Sequence, residues 1–205
     1  MKMVGHSLAY IPRIVSYYKA LGYGEPFRWS SFEDVPFARP SKKLSDMKVA
    51  VVTTAAPYKQ NAGDQGPGAP YNGKAKFFDV YRLPAKPEPI LGISHIAYDR
   101  VHTHARDQRS WFPQIALERL AHEGLVGSVH SFFYGLPTNR SVGTTQSYGL
   151  EIVKYAKQDE VDAVILVANC PVCHQSCTLV AHELERSGIP TVVMGCAKDI
   201  VEYVG

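Results

Sequence analysis

The sequence predicts an α/β fold with a mostly parallel sheet and flanking helices, in a doubly wound arrangement of the flavodoxin or Rossmann kind. The first observation is that apolar runs of strand length, such as residues 48–54 and 163–168, show no polar alternation. Such runs are typical of strands that are buried on both faces of a parallel sheet. The second is that segments of helical periodicity alternate with these runs across the second half of the chain. This alternation indicates βαβ units, whose ligands bind beyond the carboxyl ends of the strands.

The composition predicts one domain with a sizeable core. Of the 205 residues, 45% are hydrophobic and 20% charged, which suffices for one core but not obviously for two. We expect residues 1–46 to form an N-terminal helix and an extended arm, and residues 47–205 to form the α/β domain. The net charge of +3 comes from scattered Lys and Arg residues, so no nucleic-acid-binding surface is indicated. No long apolar run and no signal-peptide pattern is present, so we expect a cytoplasmic protein without membrane contacts.

The first half of the chain predicts a helix, an arm and three strands. Apolar residues at helical spacing end at Gly22 and Gly24, and the arm that follows is rich in Pro and aromatic residues. A long segment rich in Gly and Pro separates the first two strands and predicts a loop. The expected elements are a helix within residues 1–24, an arm over 25–46, a strand over 48–54, a loop over 55–74, and further strands over 77–83 and 90–96.

The second half predicts four helices between three strands. Pro113 and Pro171 each mark a helix start, and Gly124 and Gly188 each mark a helix end. The expected elements are a helix over 113–122, a strand over 126–134, a loop over 135–145, a helix over 146–158, a strand over 163–168, a helix over 171–186, a strand over 191–195 and a short helix from residue 197.

Polar residues follow the carboxyl ends of several predicted strands. Because parallel strands end at the same edge of a sheet, we expect these residues to meet at one rim. The clusters are Thr53 with Thr54, residues 94–99, residues 170–176, and Gly195 with Cys196.

One of these clusters supplies histidines and acids. His95, Tyr98 and Asp99 are candidates for proton donation or for binding a polar substrate. His102 and His104 follow, and on an extended strand they point the same way, as a pair of metal ligands does. The alternative is a polar loop that collects histidines without a function.

The cysteines indicate a reactive site. Cys170 lies where a strand ends and a helix begins at Pro171, so its thiol faces the unpaired N–H groups and the positive end of the helix dipole. These favour the thiolate, and we expect Cys170 to be the more acidic and more reactive thiol. Cys173 completes a C-x-x-C unit in which one thiol attacks and its neighbour resolves the adduct.

Two other interpretations of the cysteines stay open. A metal-binding or thiol redox-sensing protein would use four soft ligands for zinc, namely Cys170, Cys173, His174 and Cys177. Alternatively the cysteines are inert core residues, which is the expectation for Cys196.

Several stretches resemble one known family, in the same order and at similar spacing. They are VAVVTTAA at residues 49–56, Ser94-His95 with Tyr98-Asp99, Asp107 ahead of Phe112-Pro113, ERLAHEGLVGSV at 118–129, VDAVIL at 161–166, CPVCHQS at 170–176 and ELERSGIPTVVM at 183–194. The family is the selenoprotein B family of glycine, sarcosine, betaine and D-proline reductases. The likeness is strongest to the selenocysteine-bearing subunit of D-proline reductase, whose Sec-x-x-Cys-His-x-Ser pattern appears here with Cys170 in the selenocysteine place.

The resemblance implies an oxidoreductase that cleaves a carbon–nitrogen bond in a small amine or amino acid. It implies that Cys170 is the nucleophile, Cys173 the resolving thiol and His174 a proton donor. It also implies a thiol electron donor, assembly as a homo-oligomer or hetero-complex, and a pyruvoyl group on a partner subunit that activates the amine; no firmly bound cofactor is expected in this chain. The expected substrate contacts are Thr53, Thr54, His95, Tyr98, Asp99 and Ser176.

Overall fold

A computed structural model describes residues 9–23, 28–98, 100 and 103–205 of the chain. It has an α/β fold with a mostly parallel six-stranded sheet between helices, as the alternation of strands and helices predicts. The predictions on Asp99 and His102 fall outside the described residues. Within the described part, no helix has the length and apolar character needed to cross a lipid bilayer.

Five strands form the main path of the sheet. They run in the order β3-β6-β1-β7-β8, and a short sixth strand, β5, also pairs with β1. Only β3 is antiparallel to its neighbour, whereas the other pairs are parallel. The strands are β1 (Lys48–Thr53), β3 (Tyr81–Pro84), β5 (Ser128–Val129), β6 (Phe132–Gly135), β7 (Ala163–Val167) and β8 (Thr191–Met194), and a separate two-stranded ladder joins β2 (Ala56–Pro57) to β4 (Leu91–Gly92).

Helices cover both faces of the sheet because β1 is apolar on both faces. Val51 points into a cluster with Phe133 and Leu117 of one helix layer. Val52 points into the opposite cluster, which contains Ile152 and Val180. The helices are α1 (Tyr10–Ala20), α2 (Gln114–His122), α3 (Val142–Gln158), α4 (Pro171–Arg186) and α5 (Lys198–Val204).

The N-terminal segment packs on the rest of the chain. The backbone N–H of Ile11 donates to the Asp199 carboxylate at 2.9 Å, which ties α1 to α5. The arm covers α4, whose His182 donates through Nε2 to the carbonyl of Asp34 (3.0 Å) and stacks on Phe32 at 3.9 Å between ring centroids. The arm therefore lies on its own chain, while the proposed boundary at residue 46 stays a prediction.

Three predicted strands differ from the structure, and one of them, expected over 77–83, forms only over residues 81–84 as β3. Residues 90–96 supply only the two-residue strand β4, outside the main sheet, because Arg100 occupies the carbonyls of Ile93 (2.6 Å) and His95 (2.9 Å) that a ladder would need. The predicted strand over 126–134 divides into β5 and β6. Helix α3 also begins four residues early, since Ser141 caps it by accepting the N–H of Thr144 at 3.3 Å.

Candidate active site

The site is built on the turn between β7 and α4. Cys170 is the N-cap of α4 with an extended backbone (φ −134°, ψ 168°), and its Sγ accepts the N–H of Cys173 at 3.4 Å. Thr54, at the end of β1, holds this turn from the side. Its hydroxyl donates to the carbonyl of Val167 and accepts the N–H of Asn169, both at 3.2 Å. The neighbouring strand therefore fixes the backbone that presents Cys170.

The two thiols of the C-x-x-C unit are in contact. The Sγ atoms of Cys170 and Cys173 lie 3.1 Å apart, and both cysteines are free. Cys173 is fully buried, whereas Cys170 keeps 5% of its surface exposed and borders a cavity. The Sγ of Cys173 lies 3.1 Å from the hydroxyl of Thr138, and this hydroxyl lies 2.9 Å from Nε2 of His95. A chain of polar contacts therefore runs from His95 through Thr138 to the dithiol.

The electrostatics distinguish the two thiols. Burial and the contact with Cys173 raise the pKa of Cys170 well above its ordinary value. Burial alone would raise the pKa of Cys173 too, but the contact with Cys170, the nearby His95 ring and the hydroxyl of Thr138 lower it overall. Of the two thiols, Cys173 is therefore the one that loses its proton more readily. These directions oppose the expectation that Cys170 is the more acidic thiol, because donors gather on Cys173 and outweigh the helix terminus.

A cavity of about 150 Å³ adjoins Cys170 and carries positive charge. Two cationic side chains, Lys76 and Arg140, line it together with three tyrosines, and its described lining includes no carboxylate. The guanidinium of Arg140 lies over the rings of Tyr18 (5.3 Å) and Tyr23 (5.8 Å) from the N-terminal segment. Among the described residues, the lining is Tyr18, Tyr23, Tyr71, Lys76, His95, Ile96, Ala97, Thr138, Arg140, Cys170 and Val172.

His174 faces away from this cavity. Its Nδ1 lies 2.8 Å from the carbonyl of Cys170, and its Nε2 accepts the N–H of Ala197 at 3.1 Å. The ring is 1% exposed and fills the space beside Gly195, where a Cβ would collide with Nε2. Since backbone groups occupy both nitrogens, His174 positions the turn before α5 and is not placed to protonate a ligand. It also lowers the pKa of the neighbouring, exposed Cys196 thiol, which is therefore not the core residue expected from the sequence.

The other predicted substrate contacts have different positions. Thr53 is buried and donates to the carbonyl of Trp111 at 2.7 Å. Tyr98 packs edge-on against the same Trp111, with 6.5 Å between ring centroids. Ser176 is fully buried, and its hydroxyl has no hydrogen-bond partner among the described residues. Of the substrate contacts that the structure describes, only His95 lines the cavity.

The predicted metal ligands do not come together as a set of four. Cys177 is fully buried in the core cluster of α3 and α4, and burial raises its pKa well above the ordinary value. With His174 engaged by the backbone, the grouping of potential ligands within the described residues is His95, Cys170 and Cys173. His104 is exposed and lies outside this grouping.

The loop between β6 and α3 contains site residues that the sequence does not predict. It supplies Thr138 and Arg140, the first in contact with Cys173 and the second at the cavity. The position of this loop after the carboxyl end of a parallel strand is the pattern that indicates a site residue, because the loop then reaches the same rim. Lys76, Tyr18 and Tyr23 come from irregular or N-terminal segments and carry no such indication.

Fold and site together define an α/β protein with a buried dithiol at the carboxyl rim of its sheet, next to a cationic cavity. The family model described as glycine/sarcosine/betaine reductase selenoprotein B matches residues 15–169, which is most of the chain. The chain belongs to this family, as the motifs of the sequence predict. No solved structure gives a significant match.

Curated relatives support the assignment. The glycine reductase complex component B subunit gamma of Symbiobacterium thermophilum is 32% identical over 176 residues, which cover 82% of this chain and 40% of that protein. The D-proline reductase subunit gamma of Acetoanaerobium sticklandii is 30% identical over 169 residues, covering 80% of this chain and 66% of that protein. The betaine reductase complex component B subunit beta of Peptoclostridium acidaminophilum is 30% identical over 175 residues, which cover 83% of this chain and 39% of that protein. The chain thus spans about two fifths of the glycine and betaine reductase relatives.

Proposed function

We propose that the chain is a thiol-dependent reductase subunit that cleaves a carbon–nitrogen bond in a small amino-acid-like substrate. The observation that carries the proposal is the pair of Sγ atoms 3.1 Å apart, of which only Cys170 borders the cavity. This arrangement suits attack by the outer thiol and resolution by the inner one. The relatives are named as subunits of glycine, betaine and D-proline reductases, which is consistent with this chemistry.

The reaction proceeds in three steps. The Cys173 thiolate takes the proton of Cys170, and the resulting Cys170 thiolate attacks the carbon alpha to the substrate carboxylate, so that a C–S bond forms and the C–N bond breaks with loss of the amine. Cys173 passes that proton to His95 and, as a thiolate again, attacks Sγ of Cys170, which forms the disulfide. The released carbon keeps the electron pair of the broken C–S bond and takes the proton from His95. An external dithiol then reduces the disulfide. The substrate gains two electrons and the external dithiol loses them.

His95 is the proton donor in this scheme. It lines the cavity beside Cys170, and its Nε2 is held by Thr138 at 2.9 Å. The resemblance to the family assigns the proton-donor role to His174, but backbone groups contact both ring nitrogens of that residue. A histidine that contacts the cavity reaches the released carbon, whereas one enclosed behind the helix does not.

The substrate carries a carboxylate. Lys76 and Arg140 place two cations around a cavity whose described lining includes no acidic side chain, and Tyr18 adds a hydroxyl whose pKa burial raises. Arg140 lies 5.3 Å from the centroid of the Tyr18 ring and bonds the hydroxyl of that tyrosine, and its guanidinium has five N–H groups, so others can bind a planar anion. Such an arrangement favours small anions over neutral amines.

The subunit works in a hetero-complex. The relatives are named as components or subunits of reductase complexes, which supports a partner chain. A pyruvoyl group on that partner would supply a carbonyl that activates the substrate amine, and the cavity between Tyr23, Tyr71 and Arg140 fits it, because these exposed polar side chains accommodate a keto group entering from solvent. The residues of this chain contribute the dithiol, the cations and the proton donor.

Iodoacetate tests the dithiol chemistry without a partner, since iodide leaves the carbon alpha to a carboxylate without prior activation. With excess dithiothreitol, the reduced protein should convert iodoacetate to acetate faster than dithiothreitol alone. Cys173→Ser should stop after one turnover with a carboxymethyl group on Cys170, seen by peptide mass mapping. A wild-type protein that stays carboxymethylated on Cys170 would overturn the resolving role of Cys173.

Two variants distinguish reaction at the proposed site from the general reactivity of cysteine thiols. Arg140→Gln should slow labelling of Cys170 by iodoacetate at least tenfold while leaving labelling by the neutral iodoacetamide nearly unchanged. Cys177→Ser removes a thiol of the same helix that lies in the core, so it should retain turnover. Equal slowing with both reagents would exclude the carboxylate-binding role of Arg140.

A further inference from the structure

We propose that the dithiol doubles as an inhibitory site for a thiophilic divalent cation, bound by His95, Cys170 and Cys173 with its fourth position open to the cavity. The ligand atoms of these three residues all lie within 4.8 Å of one another, and all three side chains are buried. The set keeps Cys170 and Cys173 from the four ligands predicted from the sequence, and it has His95 instead of His174 and Cys177. It also goes beyond the proposed reductase activity, because it needs no substrate and no partner.

The geometry needs little rearrangement to hold zinc. Bond lengths of about 2.3 Å to sulfur and about 2.0 Å to nitrogen place tetrahedral ligand atoms roughly 3.5–3.8 Å apart. The two Sγ atoms are 3.1 Å apart, so they would separate by less than 1 Å by rotation of their side chains. Because Cys170 starts at the N-cap and Cys173 in the first turn of α4, this separation leaves the helix intact.

His95 has the features of a metal ligand. The residue is 4% exposed, one ring nitrogen contacts Thr138 at 2.9 Å, and the other has no hydrogen-bond partner among the described residues. A ligating imidazole is ordinarily held through its second nitrogen in this way. A ring nitrogen of His95 therefore lies within a pocket that already contains two thiols.

The donor set determines the class of ion. Two thiolates and one imidazole favour Zn²⁺, Cd²⁺ and Co²⁺ over Mg²⁺ and Ca²⁺, which prefer oxygen. Two thiolates also neutralise the charge of a divalent ion, so binding releases protons. Since His95 and Cys170 both line the cavity, the fourth ligand is a water or a small anion. An occupied site leaves neither thiol free to attack, so metal binding inhibits the reductase reversibly.

Cobalt(II) provides a direct readout on the full-length reduced protein. One equivalent should produce thiolate-to-cobalt charge-transfer bands and the intense visible bands of tetrahedral cobalt. Cys170→Ser and Cys173→Ser should each weaken binding at least tenfold and reduce the charge-transfer intensity. His95→Asn should weaken binding at least tenfold but keep the charge-transfer bands, and Cys177→Ser should bind like the wild type.

A second measurement guards against variants that fail to fold. In the wild type, Zn²⁺ should protect Cys170 from alkylation, whereas Cys196 should react as before, and a chelator should restore labelling of Cys170. Octahedral cobalt without charge-transfer bands, or wild-type affinity in His95→Asn, would overturn the proposed ligand set. Iodoacetate turnover is measured without metal, so failure of this site and failure of the reductase chemistry are distinguishable.

Discussion

Replacing Thr138 by Val tests what keeps Cys173 in the thiolate form. Valine preserves the branched shape but removes the hydroxyl that lies 3.1 Å from Cys173 Sγ and 2.9 Å from His95 Nε2. A hydrogen bond to a charged group contributes about 1.5–3 kcal/mol, and one pKa unit corresponds to about 1.4 kcal/mol. We therefore expect the pKa of Cys173 to rise in Thr138→Val, because the hydrogen bond that lowers it is lost. The rate of resolution should fall at neutral pH because less thiolate is present.

The ultraviolet absorbance of the thiolate, followed against pH, measures this change. Cys177→Ser and Cys196→Ser in the background leave only the dithiol to titrate. Thr138→Ser is the matched control, because it keeps the hydroxyl and should titrate like the parent. If Thr138→Val titrates at the parent pH while its fold is intact, the hydroxyl does not stabilise the thiolate and the polar chain to His95 has no electrostatic role.

Three further predictions concern the rest of the molecule. Hydrogen bonds from Arg82 lower the pKa of Asp159 to about 2. The carboxylate therefore stabilises the folded protein above the unfolded pKa of 3.8, and this contribution is lost as the pH falls towards 2. In denaturant titrations the free energy of unfolding should fall by about 2 kcal/mol over this range, and Asp159→Asn should abolish the pH dependence. Alkylation of the native reduced protein at neutral pH should label Cys196 first, because it is exposed and its pKa is lowered, and mass mapping of peptides reports the order. Gly135→Ala should reduce the free energy of unfolding by about 1–3 kcal/mol, since the new Cβ would overlap the Tyr81 ring.

Each of these has a control within the chain. A Cβ on Gly143, in the first turn of α3, meets nothing within 4 Å, so Gly143→Ala should leave stability unchanged or raise it slightly. Cys177 is fully buried and should stay unlabelled until the protein unfolds. An Asp159→Asn variant that keeps the acid-dependent loss would assign that loss to other carboxylates.

The sequence predicts the βαβ half of the molecule closely because apolar strands alternate there with helices, although the edge strand β8 exposes Val192 and Met194. Helix α4 begins and ends at the predicted residues, since Pro171 and Gly188 mark its ends locally. The strand predicted over 90–96 is largely absent for a reason that lies elsewhere in the chain. Arg100 takes two of its carbonyls, and no pattern within the strand itself reveals that contact.

The site was predicted only in part for a similar reason. Helical spacing correctly places His174 one turn after Cys170, but it does not show that backbone groups occupy both nitrogens of the ring. His95 is the histidine that meets the cavity, and the sequence identified it from its position after an expected strand. Thr138 and Arg140 were missed because their loop shows no motif, although it follows the carboxyl end of the parallel strand β6, where site residues are expected.

The docking of the N-terminal segment has a thermodynamic consequence for ligand binding. Tyr18 and Tyr23 line the cavity, yet their helix is attached to the body of the protein through α5, by contacts such as that of Ile11 with Asp199. A ligand that contacts these tyrosines binds only the docked form, so its binding free energy adds to the stability of docking. Amide hydrogen exchange in α1 should consequently slow when the cavity is filled. The segment that closes the cavity thus also reports on its occupancy.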